Sequence, residues 1–248
     1  MLRTSNPTLS EKAFQSVDFS RSTNETMTIR GTINKAIILL LLSIASAAWI
    51  WSNVNTPEFP LQAWIVGGSI GGFIAALVVI FKKSWAGYVA PIYALLEGLF
   101  LGAISAIFNE AYPGIVIQAV ALTLGVMFIM LIAYQSGWIK MTRKLRAIIV
   151  GSTAAIALVY LLFFIISLFG VNISFMYDSS PLGIIISLIV VAVAAFNFLL
   201  DFEVIEKGAQ ANLPKYMEWY SAFGLMVTLV WLYIEMLRLL ARFANNRD

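Results

Sequence analysis

Seven apolar stretches, each about 20 residues long, succeed one another along the chain. A helix needs about 20 apolar residues to cross a bilayer, because it rises 1.5 Å per residue and the hydrocarbon is about 30 Å thick. The stretches are continuous rather than alternating, which indicates helices and not the strands of a membrane barrel. The predicted helices are Asn34–Asn53, Leu61–Phe81, Trp85–Phe108, Gly114–Gly137, Leu145–Gly170, Pro181–Leu200 and Tyr216–Phe243.

The composition indicates that little of the chain lies outside the membrane. Apolar residues make up 60% of the 248 residues and charged residues only 12%, about half the charged share of a soluble domain. Residues 1–32 form a polar tail rich in Ser, Thr and Asn, which we expect to be mobile, and residues 33–248 form the membrane domain. The predicted fold class is therefore all-α, a polytopic membrane protein with seven transmembrane helices.

The chain contains neither Cys nor His. Their absence excludes disulfides, thiolate nucleophiles, imidazole bases and the metal sites built on these residues. No phosphate-binding or dinucleotide-binding motif occurs, so we expect neither enzyme activity nor a cofactor. The basic residues are too few and too scattered for nucleic-acid binding. Carboxylates are therefore the groups on which a proton-dependent or cation-dependent function would rest.

Basic residues alternate between successive connections. Lys and Arg occur in the tail and after helices 2, 4 and 6, whereas the connections after helices 1, 3 and 5 have none. Because basic connections are retained in the cytoplasm, this pattern predicts a cytoplasmic N-terminus. Three arginines near the C-terminus would then lie outside. A re-entrant helix 7 would return them to the cytoplasm, but the apolar length of helix 7 favours a full crossing. These residues are Arg238, Arg242 and Arg247.

Glycines recur one helical turn apart in helices 2 and 3. Small residues at this spacing let helix backbones approach closely in lipid. We expect them to pack helices of one chain together, and a dimer interface is the alternative. The pairs are Gly67/Gly71, Gly68/Gly72 and Gly98/Gly102.

Glu97 lies near the middle of helix 3, about 12 residues or roughly 18 Å from its start. A carboxylate in hydrocarbon costs at least a few kcal/mol unless it is paired, protonated or hydrated. The apolar residues on either side offer it no local partner. We therefore predict a proton or cation site at Glu97, and a protonated side chain bonded to a neighbouring helix is the alternative.

Four carboxylates cluster around the predicted end of helix 6 and the start of helix 7. Such a group would attract cations. The first and last are predicted to form a pair that shares a proton, because two carboxylates held close cannot both ionise cheaply. Calcium prefers six to eight oxygens, so a calcium site at this pair would be weak and partly hydrated. A solvated helix end neutralised by Lys207 and Lys215 is the alternative. The four residues are Asp201, Glu203, Glu206 and Glu218, with Glu206 a secondary candidate.

Glu235 and Arg238 stand three residues apart on helix 7. This spacing places them on one helix face, where an ion pair lowers the cost of burying both groups. We expect a structural or interfacial role and treat the pair as a secondary site.

The ordered combination of these features resembles the Bax inhibitor-1 family. The stretch from Glu97 to Gly102 (EGLFLG) on helix 3, Asp201 closing helix 6, and Leu237–Leu240 (LRLL) in helix 7 carry this resemblance. The tail segment NPTLS with Phe14, and the stretch YMEWY at the start of helix 7, are similar to the bacterial Bax inhibitor-1/YccA-like branch.

The resemblance implies six helices around a hydrophobic seventh, in a bacterial inner membrane. It implies a pH-sensitive calcium leak gated by two aspartates on the last two helices. Asp201 matches the first aspartate, whereas the second falls near Thr228, which cannot titrate; Glu218 and Glu235 are candidates to replace it. Other relatives are linked to a membrane AAA protease and to stress survival. A non-conducting regulator that binds such a protease is therefore the alternative function.

Overall fold

The computed structural model describes residues 25–169 and 180–246. Within these ranges the chain forms seven long helices, each long and apolar enough to cross a membrane, and no strand beyond an isolated bridge. The all-α polytopic fold is thus confirmed. The expected mobility of the tail concerns mostly residues 1–24, which lie outside the described residues. The helices are α1 (Ile29–Asn53), α2 (Leu61–Phe81), α3 (Ala86–Ala111), α4 (Ile115–Gln135), α5 (Arg143–Leu168), α6 (Pro181–Gln210) and α7 (Met217–Asn245).

Helix α1 begins five residues before the predicted start at Asn34. Thr28 is its N-cap, and the Thr28 hydroxyl accepts a hydrogen bond of 2.9 Å from the backbone N–H of Gly31. A Thr in this position satisfies one of the N–H groups that the first helical turn leaves without a partner. The polar residues before the apolar stretch therefore belong to the helix.

Helix α6 continues to Gln210, ten residues past the predicted end at Leu200. The added stretch contains Glu203 and Lys207, good helix formers that make an i,i+4 ion pair of 2.6 Å. The prediction that Asp201 closes this helix is therefore wrong. Asp201 lies nine residues, about 14 Å, before the helix ends. The apolar run marked the part of the helix suited to hydrocarbon, not the whole helix.

The described chain divides into two compact units. The α1–α3 unit contains helices α1, α2 and α3, the end of α6 from Glu203, and the start of α7 up to Val227. The α4–α5 unit contains helices α4 and α5, α6 up to Phe202, and α7 from Thr228. Each unit is described by itself below.

In the α1–α3 unit, helix α3 packs against both α1 and α2. A Cβ atom at Gly68 would lie 2.9 Å from backbone atoms of Leu96 and Phe100 on α3, and one at Gly102 would lie 2.8 Å from Ala47 on α1. No side chain larger than hydrogen fits there without moving a helix. The expectation that these glycines pack helices of one chain together is confirmed. Gly67, in the other register of α2, faces open space.

Helix α7 is the most buried of the membrane-spanning helices. Of the most apolar 18 residues of α7, 61% are buried, compared with 6% in the corresponding stretch of α5. The outward apolar side chains of α5, such as Ile148 and Phe164, suit contact with lipid.

Candidate functional site

Glu97 is the twelfth of the 26 residues of α3, close to the middle of the helix. Its half-buried carboxyl faces Gly72 on α2, where an added Cβ would come within 2.8 Å of the Glu97 Oε2 atom. Among the described residues, this carboxyl makes no hydrogen bond and no ion pair. The alternative prediction, a hydrogen bond to a neighbouring helix, therefore finds no support here. The arrangement leaves the group able to take up a proton or to face a hydrated cation.

Asp201 is completely buried in the α4–α5 unit. The rings of Phe198 and Phe202 stack beside it on α6, with centroids 6.0 Å apart. One turn earlier, the Asn197 amide donates a hydrogen bond of 2.9 Å to the Thr153 hydroxyl of α5. Thr228, near which the resemblance implies a second aspartate, is also buried in this unit. A carboxyl so shielded from solvent remains a strong candidate for a proton-dependent role.

Glu218 lies in the first turn of α7, and its side chain is fully buried. Its Oε1 atom accepts hydrogen bonds of 2.9 Å from both the backbone N–H and the hydroxyl of Thr28. Its Oε2 atom is 2.5 Å from the Lys35 ammonium of α1, and Lys215 lies 3.5 Å from Oε1. The carboxylate thus sits at the N-terminus of α1, which also favours negative charge. We call this set of contacts the Glu218 clamp.

The segment before α1 joins the Glu218 clamp to the turn between α6 and α7. The backbone N–H of Met27 donates a hydrogen bond of 2.6 Å to the Leu213 carbonyl, and Thr26 forms an isolated bridge with Pro214. The Met27 side chain is buried, with its sulfur next to Gly208. The starts of α1 and α7 are therefore held together by backbone and charged contacts at once.

Sequence reasoning missed Lys35 and Thr28 as partners of Glu218. Thr28 before a helix start is an N-cap signal, but nothing local links it to a carboxylate 190 positions away. Lys207 and Lys215 do form ion pairs with Glu203 and Glu218, but both carboxylates are buried and not part of a solvated helix end. The pairing of Glu218 with Asp201 stays a prediction.

The predicted ion pair between Glu235 and Arg238 is confirmed, with a distance of 3.1 Å. The Tyr160 hydroxyl of α5 donates a hydrogen bond of 3.0 Å to the same Glu235 oxygen. The Arg238 guanidinium also lies 5.6 Å from the centre of the Tyr160 ring. These contacts tie α5 to α7 and support a structural role. The secondary candidate Glu206 is half-buried and accepts a hydrogen bond of 3.2 Å from Gln210.

No group of three acidic side chains suited to a metal ion occurs within residues 25–169 and 180–246. Calcium held by one or two carboxylates would keep most of its water, because it prefers six to eight oxygens.

A model of the family described as Bax inhibitor 1 like matches residues 6–245, nearly the whole chain. The chain belongs to the Bax inhibitor 1 like family. This membership confirms the resemblance, whereas assignment to the bacterial branch stays a prediction. No curated protein and no solved structure showed significant similarity to the chain. Together with the seven apolar helices, family membership makes this an integral membrane protein.

Proposed function

We propose that this Bax inhibitor 1 like protein is a pH-regulated cation leak, with calcium as the permeant ion. The observation that carries the proposal is the presence of two carboxyl groups, the half-buried Glu97 and the fully buried Asp201, inside helices suited to cross a membrane. A carboxyl in such surroundings is costly, so its retention points to a use. The resemblance to a family with a calcium leak supports the same function. The resemblance to the bacterial branch supports a bacterial inner membrane location, and the basic connections support a cytoplasmic N-terminus.

Protonation supplies the regulation. A cation that enters the protein gives up part of its hydrating water. An ionised carboxylate replaces that water with a negatively charged ligand, whereas a protonated carboxyl is neutral and attracts the cation far less. Flux should therefore fall as the cytoplasm is acidified and rise as these groups ionise. Asp201 takes the titrating role in this proposal, and the Glu218 clamp holds the starts of α1 and α7 together.

Flux from purified protein in liposomes tests the proposal. We expect calcium entry, read with a dye trapped inside, to rise as the pH is raised from acid to neutral. Asp201→Asn and Glu97→Gln should flatten this dependence, because neither amide can ionise. Glu110→Gln is the matched control, since Glu110 is exposed near the end of the same helix as Glu97 and belongs to neither candidate site. No calcium entry through correctly inserted wild-type protein would overturn the proposal.

One observation favours a second function, a non-conducting regulator of another membrane protein such as an AAA protease. Only 6% of the most apolar stretch of helix α5 is buried, so its outward apolar face is open to a membrane partner as well as to lipid. A photoreactive residue at Phe164, which is 61% exposed, should then crosslink to that partner in cells. Crosslinks to the protease together with absent flux would favour the regulator, and crosslinks to lipid alone would argue against it.

A further inference from the structure

A positively charged patch lies in the connection between α4 and α5. Lys140, Arg143 and Lys144 are exposed, and Trp138 beside them is 81% exposed. None of the three basic side chains makes a hydrogen bond or ion pair in the part of the chain that the structure describes. We call these four residues the α4–α5 patch.

The sequence around the α4–α5 patch contains no counter-ion. Residues 111–177 include no Asp and no Glu. Other basic side chains do have internal partners: Lys35 pairs with Glu218, and Lys207 pairs with Glu203. Helix α5 adds to the imbalance, because basic side chains in a first turn are repelled by the positive end of the helix dipole. Among the described residues no acidic side chain pairs with the patch, which leaves its charge available to an acidic partner.

The position of the α4–α5 patch indicates what that partner is. Helices α4 and α5, which the connection joins, both suit a membrane crossing, so the connection lies where the hydrocarbon ends. Trp at this level sits among lipid headgroups, and long basic side chains reach outward to the same layer. Basic clusters directly beside a transmembrane helix attract acidic lipids.

We propose that the α4–α5 patch binds the headgroups of acidic phospholipids. Phosphate oxygens of the headgroups balance Lys140, Arg143 and Lys144, while the Trp138 ring lies against the glycerol region. The Arg143 guanidinium can donate two hydrogen bonds to one phosphate, which a lysine cannot match. This inference is independent of the proposed ion leak, since the basic residues of the α4–α5 patch are separate from Glu97 and Asp201.

Quenching of Trp138 by brominated lipids provides the test. The full chain is placed in phosphatidylcholine bilayers that contain brominated phosphatidylglycerol or, in parallel, brominated phosphatidylcholine. The difference between wild type and Trp138→Phe isolates the signal of this tryptophan, whose exposure makes the substitution harmless to packing. We expect stronger quenching by phosphatidylglycerol, with a preference that declines as salt is added, because salt screens exposed charges.

Paired variants separate a local site from a general effect of charge. Each basic residue near an acidic surface raises the affinity for acidic lipid about fivefold. The variant Arg143→Gln/Lys144→Gln should therefore lower the affinity of the patch for phosphatidylglycerol, relative to phosphatidylcholine, by at least about tenfold. Arg30→Gln/Lys82→Gln is the matched control: it removes the same charge from two exposed residues in the α1–α3 unit. The control should leave Trp138 quenching unchanged. Equal quenching by both lipids in the wild type, or equal effects of the two double variants, would overturn the proposal.

Discussion

Neutralising Glu218 tests whether the Glu218 clamp stabilises the protein. Glu218→Gln removes the charge that faces Lys35 at 2.5 Å and Lys215 at 3.5 Å. The amide oxygen can still accept hydrogen bonds from Thr28. The Lys35 side chain is only 17% exposed, so its ammonium would be left poorly compensated. The stability cost comes from leaving one buried charge without its partner, and not from the absence of the ion pair itself.

The expected cost is about 3 kcal/mol, the lower end of the range for breaking a buried ion pair, because Thr28 keeps its acceptor. Lys35→Met should cost a similar amount, since it leaves the fully buried carboxylate with Lys215 as its remaining cation. The double variant has no stranded charge at this pair. It should therefore lose less than either single variant, well below the roughly 6 kcal/mol of two independent changes.

Thermal unfolding of the protein in detergent measures these differences. A loss of 3 kcal/mol should lower the midpoint by on the order of 10 °C for a chain of this length. Glu58→Gln is the control, because it removes the same charge from an exposed residue of the α1–α2 connection, where a surface charge contributes less than about 1 kcal/mol. If the double variant loses the full sum of the single losses, the two groups do not interact and the reasoning fails.

Two further predictions concern helix packing and topology. Gly68→Ala should destabilise the protein by about 1–3 kcal/mol in thermal unfolding, because the added Cβ meets backbone atoms of α3. Gly67→Ala is the control and should have little effect, because Gly67 faces open space. Equal effects of the two substitutions would contradict the packing described. The chain has no Cys, so Thr56→Cys in the α1–α2 connection should react with an impermeant thiol reagent in intact cells, whereas Lys144→Cys should not. The reverse labelling would overturn the predicted orientation.

Local patterns in the sequence were sufficient for the helices and for contacts within one helix. Seven apolar stretches predict seven helices, because a backbone in hydrocarbon must satisfy its own hydrogen bonds and a helix does this within each segment. The pair of Glu235 and Arg238 could be predicted because residues three apart share a helix face. The spacing of Gly68 and Gly72 predicted close packing for a similar reason.

Helix ends were predicted less well. An apolar stretch shows which residues suit the hydrocarbon. The ends of the helix depend instead on the helix propensity of the flanking residues and on the residues that cap it. Helix α6 therefore extends through a charged segment to Gln210, and Asp201 lies inside it. Helix α1 begins at its cap, Thr28, within a stretch whose polarity had suggested a tail.

Only the tertiary structure decided which groups surround each buried carboxyl. Lys35 and Thr28 reach Glu218 across more than 180 positions of sequence, and Gly72 of α2 faces Glu97 of α3. A buried carboxylate is stabilised by a cation, but the sequence does not show which of the several lysines will lie next to it. The packing of helices selects among them: it brings one pair of helix ends together and leaves the Glu97 carboxyl without a hydrogen bond or ion pair among the described residues.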